Sequence, residues 1–450
     1  MGKPIQWGTI ATLGVVIIIG FYLRSESWMG TTVLRPLQRD ASEYFFYAYN
    51  MRYQHTYSRQ IHQSTDSKFK LPPDAVRSPG YPLVLSLLVD GPPSRKLIKK
   101  IQLFQMIVST LTLVLAFFLF RCYITPLPGG IAAILVAISP HLIMFNSYIL
   151  SESLFCFTLV LMGLLICRYI NHPSPWFSIL LGSIMGIGSL IRPSLQFFPL
   201  VMAIMVLLLY GRKEGIKLSL FILLGFMLIS APWLIRNFIT LGKISDNSLM
   251  INFLHHGMYP DFKYKQKPES YARPYKFDPR SEEINTNMNS VLEEIKNRFR
   301  TDPLKHLNWF LLKKPAVFWA WDTVQGHGDF YVYYVSQTPY SENMIFQWTH
   351  KMMKWLHGPL VIFSLLGSLV AWIFPQTHGL GRNSVYVARC VAALLLYYTI
   401  LHMIGAPFPR YSVPLRPFQY GMALFCLHYF YITVKSIKGG IHELIRSPST

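Results

Sequence analysis

GTIATLGVVIIIGFYL (8–23) is an uninterrupted apolar run, and LQRDASEYFFYAYNM (37–51) follows it with Asp40 and Glu43 set in front of Tyr44, Tyr47 and Tyr49. The first stretch is the stuff of a lipid-spanning helix, which needs roughly 20 predominantly apolar residues. It follows Lys3 in the manner of a secretory signal, but its far flank reads FYLRSES, with no small-x-small cleavage site. A retained signal anchor is therefore expected. The second stretch places two carboxylates just where the chain leaves the membrane. They are either ordinary loop charges or groups that work at its surface.

Further apolar runs lie at about 101–120, 129–147, 153–167, 177–191, 195–210, 217–235, 356–374, 385–404 and 412–434. With the first they make about ten spans, helical because lipid leaves every backbone group to be satisfied within its own segment. Composition agrees. The chain is 52% hydrophobic and 14% charged, whereas an ordinary soluble domain carries about 25% charged residues. The expected class is an all-α polytopic membrane protein. The net charge of +21 reads as cytoplasmic anchoring and attraction to anionic membrane lipid. No basic block resembles a nucleic-acid module, so no nucleic-acid partner is expected. Cys122, Cys156, Cys167, Cys390 and Cys426 all lie in or at the ends of apolar runs, so no disulfide framework is expected in the polar loops.

Short loops set the orientation. With a cytoplasmic N-terminus, the inside segments carry Arg121, Arg168, Arg212, Lys213, Lys217 and Arg382, and the tail carries Lys435, Lys438 and Arg446, opposed only by Glu214 and Glu443. That is the positive-inside pattern, and it leaves both termini cytoplasmic. The long polar segments 24–100 and 236–352 then share the outer face. No internal repeat of the kind common in transporters is visible. The chain divides into a seven-span core over 1–240 containing the first outward loop (24–100), an outward loop region over 241–352, and three C-terminal spans with a tail over 353–450. Segment 79–100 reads as a juxtamembrane helix and connector. In the loop region Asp278 is a candidate N-cap with Pro279 at the first helical position, and Ile284, Met288, Val291, Leu292, Ile295 and Phe299 recur at helical spacing. Asp302-Pro303 opens a second, aromatic- and lysine-rich helix suited to lying in the interface.

Charged residues gather on the outward side. Besides Asp40 and Glu43 these are Arg77, which opens RSPGYP with Tyr81; Glu152 in NSYILSESLF; Arg192 in SLIRPS; Arg236 in PWLIRN; and Arg410 beside Tyr411 in PFPRYSVP. An ionisable group at membrane depth is costly and is a functional candidate by default. The plainer readings are an N-cap or solvated acid for Asp40, a capping neighbour for Glu43, and snorkelling to lipid phosphate for the arginines. Together, two kinds of group fit one reaction: a carboxylate takes a proton from an acceptor, and guanidinium groups hold a departing phosphate. His255 and His256, in FLHHGMYP, are candidate metal ligands; the alternative is hydrogen-bonded loop histidines. No GxGxxG, P-loop, HExxH or GxSxG signature is present. On these residues alone an enzyme and a transporter stand level, with a non-catalytic scaffold third.

The ordered segments RDASEYFFYAYNM, RSPGYPLVLSLL, ISPHLIMFNSYILSESLFCFTLVL, GIGSLIRPSLQFFPL, APWLIRNFITLG and PRYSVPLRPFQYG resemble the GT-C superfamily of membrane glycosyltransferases. The likeness is to the bacterial branch similar to aminoarabinose transferase and to the protein O-mannosyltransferases. It covers roughly 8–240 and, more loosely, the last span. The resemblance implies a GT-C-like fold with outward juxtamembrane helices and one larger outward loop domain. It implies an enzyme that moves a sugar from a polyprenyl-phosphate donor to a lipid, glycan or protein acceptor with inversion, as a monomer in a bacterial inner membrane with its site facing the periplasm. The family's first-loop acid falls on Asp40, its second-loop acid on Glu152, and its phosphate contact on Arg77. Where many relatives have two adjacent acids this chain has Asp40-Ala41, which leaves Glu43 as a substitute base. Arg192, Arg236, Arg410, Tyr81 and Tyr411 complete the expected substrate-binding set. No cofactor is required by these residues, though a divalent metal held by His255 or His256 with an acid is open. The alternative function is a translocase for a lipid-linked sugar.

Overall fold

A computed structural model of the chain describes residues 7–60, 71–324, 326–374 and 380–446, with side chains as far as 435. Its helices are α1 (Trp7–Gly30), α2 (Asp40–Tyr53), α3 (Gly80–Leu88), α4 (Arg95–Tyr123), α5 (Pro126–Ile138), α6 (Pro140–Met144), α7 (Glu152–Asn171), α8 (Pro175–Ile191), α9 (Phe198–Tyr210) and α10 (Arg212–Leu241). There follow α11 (Ser248–Gly257), α12 (Ser281–Ile284), α13 (Met288–Thr301), α14 (Pro303–Asn308), α15 (Lys314–Phe318), α16 (Pro339–Glu342), α17 (Met344–Ile373), α18 (Arg382–Ile404) and α19 (Arg416–Arg446). Among the described residues seven helices are long and apolar enough to cross a membrane: α1, α4, α7, the segment ending in α9, α10, α17 and α18. Large apolar side chains such as Ile18, Leu220, Leu228 and Ile373 stay exposed on them, the surface expected where the solvent is lipid.

Close packing inside the bundle rests on small residues and buried polar ties. A Cβ on Gly182 of α8 would lie 1.9 Å from the Ile222 carbonyl oxygen of α10, and one on Gly225 would lie 2.1 Å from that of Ile179. Only glycine lets these two backbones approach so nearly. Arg24 of α1 is buried and donates to Ser109 Oγ at 2.9 Å on α4 and to the Ala137 carbonyl at 2.9 Å on α5, fastening the first helix to its neighbours. The sequence leads one to expect no disulfide framework in the polar loops, and the cysteine pair that forms lies outside them. The structure joins Cys122, in the last turn of α4, to Cys167, in the last turn of α7, with their Cα atoms 6.2 Å apart. The expectation looked for cysteines in loops, whereas adjacent packing of two helix ends brings this pair together.

The two long polar segments meet in a small antiparallel ribbon. Strand β1 (Thr32–Val33) pairs with β2 (Val335–Gln337), and beside it Tyr333 donates to the Gln38 carbonyl at 3.1 Å. The second segment carries its own core of Leu254, Met258, Tyr259, Ile284 and Val291. Its helix is not the continuous one expected from Asp278. The chain breaks after α12, and Asn287 instead caps α13, its side chain accepting from Ser290 N at 3.0 Å. An Asx cap competes well with helix continuation at such a position. Asp302 does cap α14 as expected, accepting from Lys305 N at 3.2 Å. Segment 79–100 resolves into short α3, a turn, and the start of α4 capped by Ser94.

Candidate active site

α2 starts abruptly. Arg39 adopts φ 48°, ψ −125°, a left-handed conformation that is costly for a residue with a Cβ. This turn makes Asp40 the first helical residue and not the cap. Its carboxylate is therefore free of backbone duties, and each oxygen takes a guanidinium. Arg77 Nη2 donates to Oδ1 at 2.8 Å and Arg410 Nη1 donates to Oδ2 at 2.9 Å. Glu43, three residues on and so on the same helical face, accepts from Arg77 Nε at 2.6 Å and from Arg59 Nη1 at 3.2 Å. The planar fork of Arg77 thus spans both acids, which a lysine could not do.

Arg77 is itself held by a polar frame. Tyr57 donates to its carbonyl at 2.9 Å, and Tyr47 donates to Asp74 three residues upstream. Arg236 was expected to bind substrate. It lies outside the acid cluster, donating to the Asp74 carbonyl at 2.8 Å and to the Tyr57 carbonyl at 3.4 Å, with its guanidinium over the Trp233 ring. Tyr81 is fully buried, donates to Gln105 Oε1 at 2.6 Å, and meets Tyr44 edge-on, while the Tyr44 ring lies beneath Arg77. Both residues support the cluster without lining it.

Glu152 opens α7 with only 1% of its side chain exposed. Its Oε1 accepts from Arg410 Nε and stands 3.4 Å from Arg192 Nη1. Arg192, at the end of α8, rests over the Tyr411 ring at 5.1 Å. One guanidinium, Arg410, therefore bridges two carboxylates brought from α2 and α7. Among the described residues Glu152 Oε2 has no hydrogen-bond partner, nor have the buried Arg192 Nη1, Asn146 Nδ2, Ser147 Oγ and Ser151 Oγ. Buried polar atoms are normally paired, and a group of exceptions marks a place for a polar ligand or water.

Charge reinforces this. Asp40, Glu43 and Glu152 face Arg59, Arg77, Arg192 and Arg410, so the cluster carries an excess positive charge that favours an anion. Burial alone would raise the Asp40 pKa; Arg410 and then Arg77 outweigh it and hold the carboxyl well below the usual carboxylate range. Arg77 is pulled down by burial but raised overall by Asp40, Tyr44 and Glu43.

His255 and His256 do not converge on an acid set. His255 Nε2 pairs with the Tyr259 hydroxyl at 3.0 Å, and His256 packs edge-on against Tyr275. Among the described residues no group of three or more His, Cys, Asp or Glu is placed to hold a metal ion. Sequence reasoning missed Arg59, Asp74 and the polar atoms of Asn146, Ser147 and Ser151. For the last three the signal was present, since polar residues flank Glu152 where a loop is almost absent. For Arg59 and Asp74 there was none.

Residues 94–235, which include Glu152 and Arg192, match the family described as dolichyl-phosphate-mannose-protein mannosyltransferase. No curated protein sequence matches the chain. Solved structures do. The oligosaccharyltransferase AglB of Archaeoglobus fulgidus, in complex with an inhibitory peptide and a dolichol-phosphate, has a TM-score of 0.53 at 11% identity, covering 99% of this chain and 52% of AglB. The chain shares the fold of that oligosaccharyltransferase. The same archaeal enzyme tethered to an acceptor peptide has a TM-score of 0.52 at 13% identity, covering 93% of this chain and 49% of the enzyme. ArnT of Cupriavidus metallidurans bound to undecaprenyl phosphate has a TM-score of 0.40 at 14% identity, covering 94% of this chain and 77% of ArnT. The chain spans about half the length of the oligosaccharyltransferase structures it matches. The family match begins after Asp40 and ends before Arg410, so the cluster joins matched and unmatched parts of the chain.

Proposed function

We propose that the chain is an integral membrane glycosyltransferase that moves a sugar from a polyprenyl-phosphate donor to an acceptor hydroxyl or amine. One observation carries this reading: Arg77 and Arg410 share the Asp40 carboxylate while Arg410 also grips Glu152. Two guanidiniums held by acids form a phosphate site that is neutralised until a phosphate arrives.

In the reaction the acceptor oxygen or nitrogen forms a bond to the anomeric carbon as the bond from that carbon to the phosphate oxygen breaks. The electron pair leaves with the phosphate, and attack from the opposite face inverts the centre. Arg77 and Arg410 meet the charge left on the polyprenyl phosphate, and the proton of the acceptor passes to Asp40. The depressed Asp40 pKa suits the resting state. When the phosphate draws Arg77 and Arg410 to itself, the carboxylate loses its cationic partners and its proton affinity rises toward what a general base needs. Glu152, through its unpartnered Oε2, orients the sugar or acceptor, and Arg192 assists it from its seat on Tyr411. Glu43 keeps Arg77 and Arg59 in register; Arg236 and Tyr81 act as positioning residues. The phosphate is already a good leaving group once its charge is met, so the scheme requires no cofactor.

The bent pair α5 and 140–147, the 17-residue apolar α8, and α19 are read as three further spans beside the seven, which gives the expected ten. The positive-inside pattern supports cytoplasmic termini and a cluster facing the periplasm in a bacterial inner membrane, with 1–240 and 353–450 forming the membrane core and 241–352 an outward loop domain. A monomer suffices, since all the named groups come from one chain. A translocase would need the arginines but no base, and no observation favours it. The test is release of free polyprenyl phosphate in vesicles holding polyprenyl-phosphate sugars and a membrane extract. Release by the wild type that is lost in both Asp40→Asn and Glu152→Gln supports transfer. Lipid-linked sugar crossing the bilayer without any release would overturn it.

A further inference from the structure

A second basic recess lies on the same end of the bundle, apart from the acid cluster. It is a cavity of about 670 Å³ between the end of α1, the start of α4 and β2, with Val33, Pro36, Leu37, Pro93 and Ile98 as its apolar part. That volume is in the range of sites that enclose a small ligand. Arg35, Arg95 and Lys99 supply its charge. Lys99 is fixed in place, donating to the carbonyls of Trp28 at 2.5 Å and Thr31 at 3.2 Å. Arg35 and Arg95 are exposed and have no acid partner among the described residues, and Asp90, just upstream of Arg95, is taken by Lys100 at 2.6 Å. Among the described residues no carboxylate lines the recess. It therefore differs from the Asp40 cluster in having nothing of its own to neutralise its cations.

We propose that this recess binds the phosphate- or carboxylate-bearing headgroup of a membrane amphiphile. Guanidinium groups match such anions in a planar, bidentate way. The apolar wall stands at the ends of two spanning helices, where the acyl part of an amphiphile continues into lipid. On the transferase reading, on which this clause rests, the amphiphile is the acceptor. Leu37, in the recess wall, is three residues from Asp40, and the adjoining Gln38 carbonyl is anchored by Tyr333, so a headgroup seated here lies beside the strained turn that presents the base.

The test is binding to the full chain in nanodiscs of neutral lipid, by calorimetry, with dihexanoyl phosphatidic acid, dihexanoyl phosphatidylcholine and inorganic phosphate as probes. Phosphatidic acid is expected to bind, the choline lipid not, and the Arg35→Gln/Arg95→Gln double variant is expected to weaken binding by tenfold or more. Arg35→Lys/Arg95→Lys, which keeps the charge but not the bidentate fork, should lose less binding than the Gln pair and shows that the fold tolerates change there. Inorganic phosphate binding as tightly as the lipid would make a soluble anion the ligand and overturn the amphiphile assignment. Binding that is absent, or unchanged in the double Gln variant, would overturn the site. Asp40→Asn should bind phosphatidic acid like the wild type, so a failure of the transferase reading leaves this result standing. In the transfer assay the double Gln variant should raise the acceptor KM and leave the donor KM alone; an unmoved acceptor KM would overturn the acceptor role.

Discussion

Two carboxylate–arginine clusters in this protein look alike in composition and differ in completeness. Between α11 and α14 Asp278 accepts from Tyr259 at 2.7 Å, Arg298 at 3.1 Å and the Arg280 amide at 3.0 Å, while Glu294 accepts from Arg298 at 2.8 Å and Arg280 at 3.0 Å. Each of these four carboxylate oxygens is paired, and acids are not outnumbered. In the Asp40 cluster four arginines meet three acids, and among the described residues Glu152 Oε2 has no partner. A saturated network fixes a fold, because removing any partner strands a buried charge. An unsaturated one with surplus charge is costly to keep empty and is relieved by a ligand. The pairing pattern, not the residue types, separates the saturated cluster from the one proposed to react.

That contrast can be broken by experiment. The largest effect is expected in Asp40→Asn, which should cut transfer by about 10²–10⁴-fold, the range for losing a general base, with donor KM little changed. Glu152→Gln should lower kcat by on the order of 10²-fold, as for loss of a transition-state hydrogen bond, and single-turnover rates would read it. Asp278→Asn should do the opposite, costing about 3–5 kcal/mol of stability with kcat retained in the fraction that stays folded; a fall in kcat without loss of stability would erase the distinction drawn above.

The pH responses should differ too. The Asp40 pKa is depressed, so its ion pairs stabilise the fold above the ordinary carboxylate range and fail only when pH falls through the lower folded value. Denaturation followed between pH 5 and 8 should show no step from it. His256 is pushed down to about 4 by burial and then by His255. A histidine kept neutral in the fold contributes stability that is lost as pH falls from the unfolded value near 6.5 through the folded one, amounting to at most about 3 kcal/mol. His256→Phe should flatten that acid limb for the loop region without moving the transfer profile, the smallest effect of the set.

Much of this was legible beforehand in particular residues. The apolar runs became helices, Asp302 capped its helix, and Asp40, Glu43, Glu152, Arg77, Arg192 and Arg410 came together. Which partners Arg236 and Tyr81 take was not legible: Arg236 donates to backbone carbonyls and Tyr81 to Gln105. The helix expected from Asp278 failed at Asn287, where a local cap won over an apolar periodicity that spanned the break. The Cys122–Cys167 bond was invisible because it depends on which helices are neighbours.

By itself, the sequence determined the long apolar helices, their composition and the inventory of charged groups in the segments between them. Hydropathy and periodicity are properties of consecutive residues, and the demand that lipid makes on every backbone group leaves helices as the outcome. Which acid meets which arginine was decided by tertiary structure alone. Asp40 and Arg410 are 370 positions apart, and their contact exists only because α2, α7 and the turn before α19 are packed at one end of the same bundle.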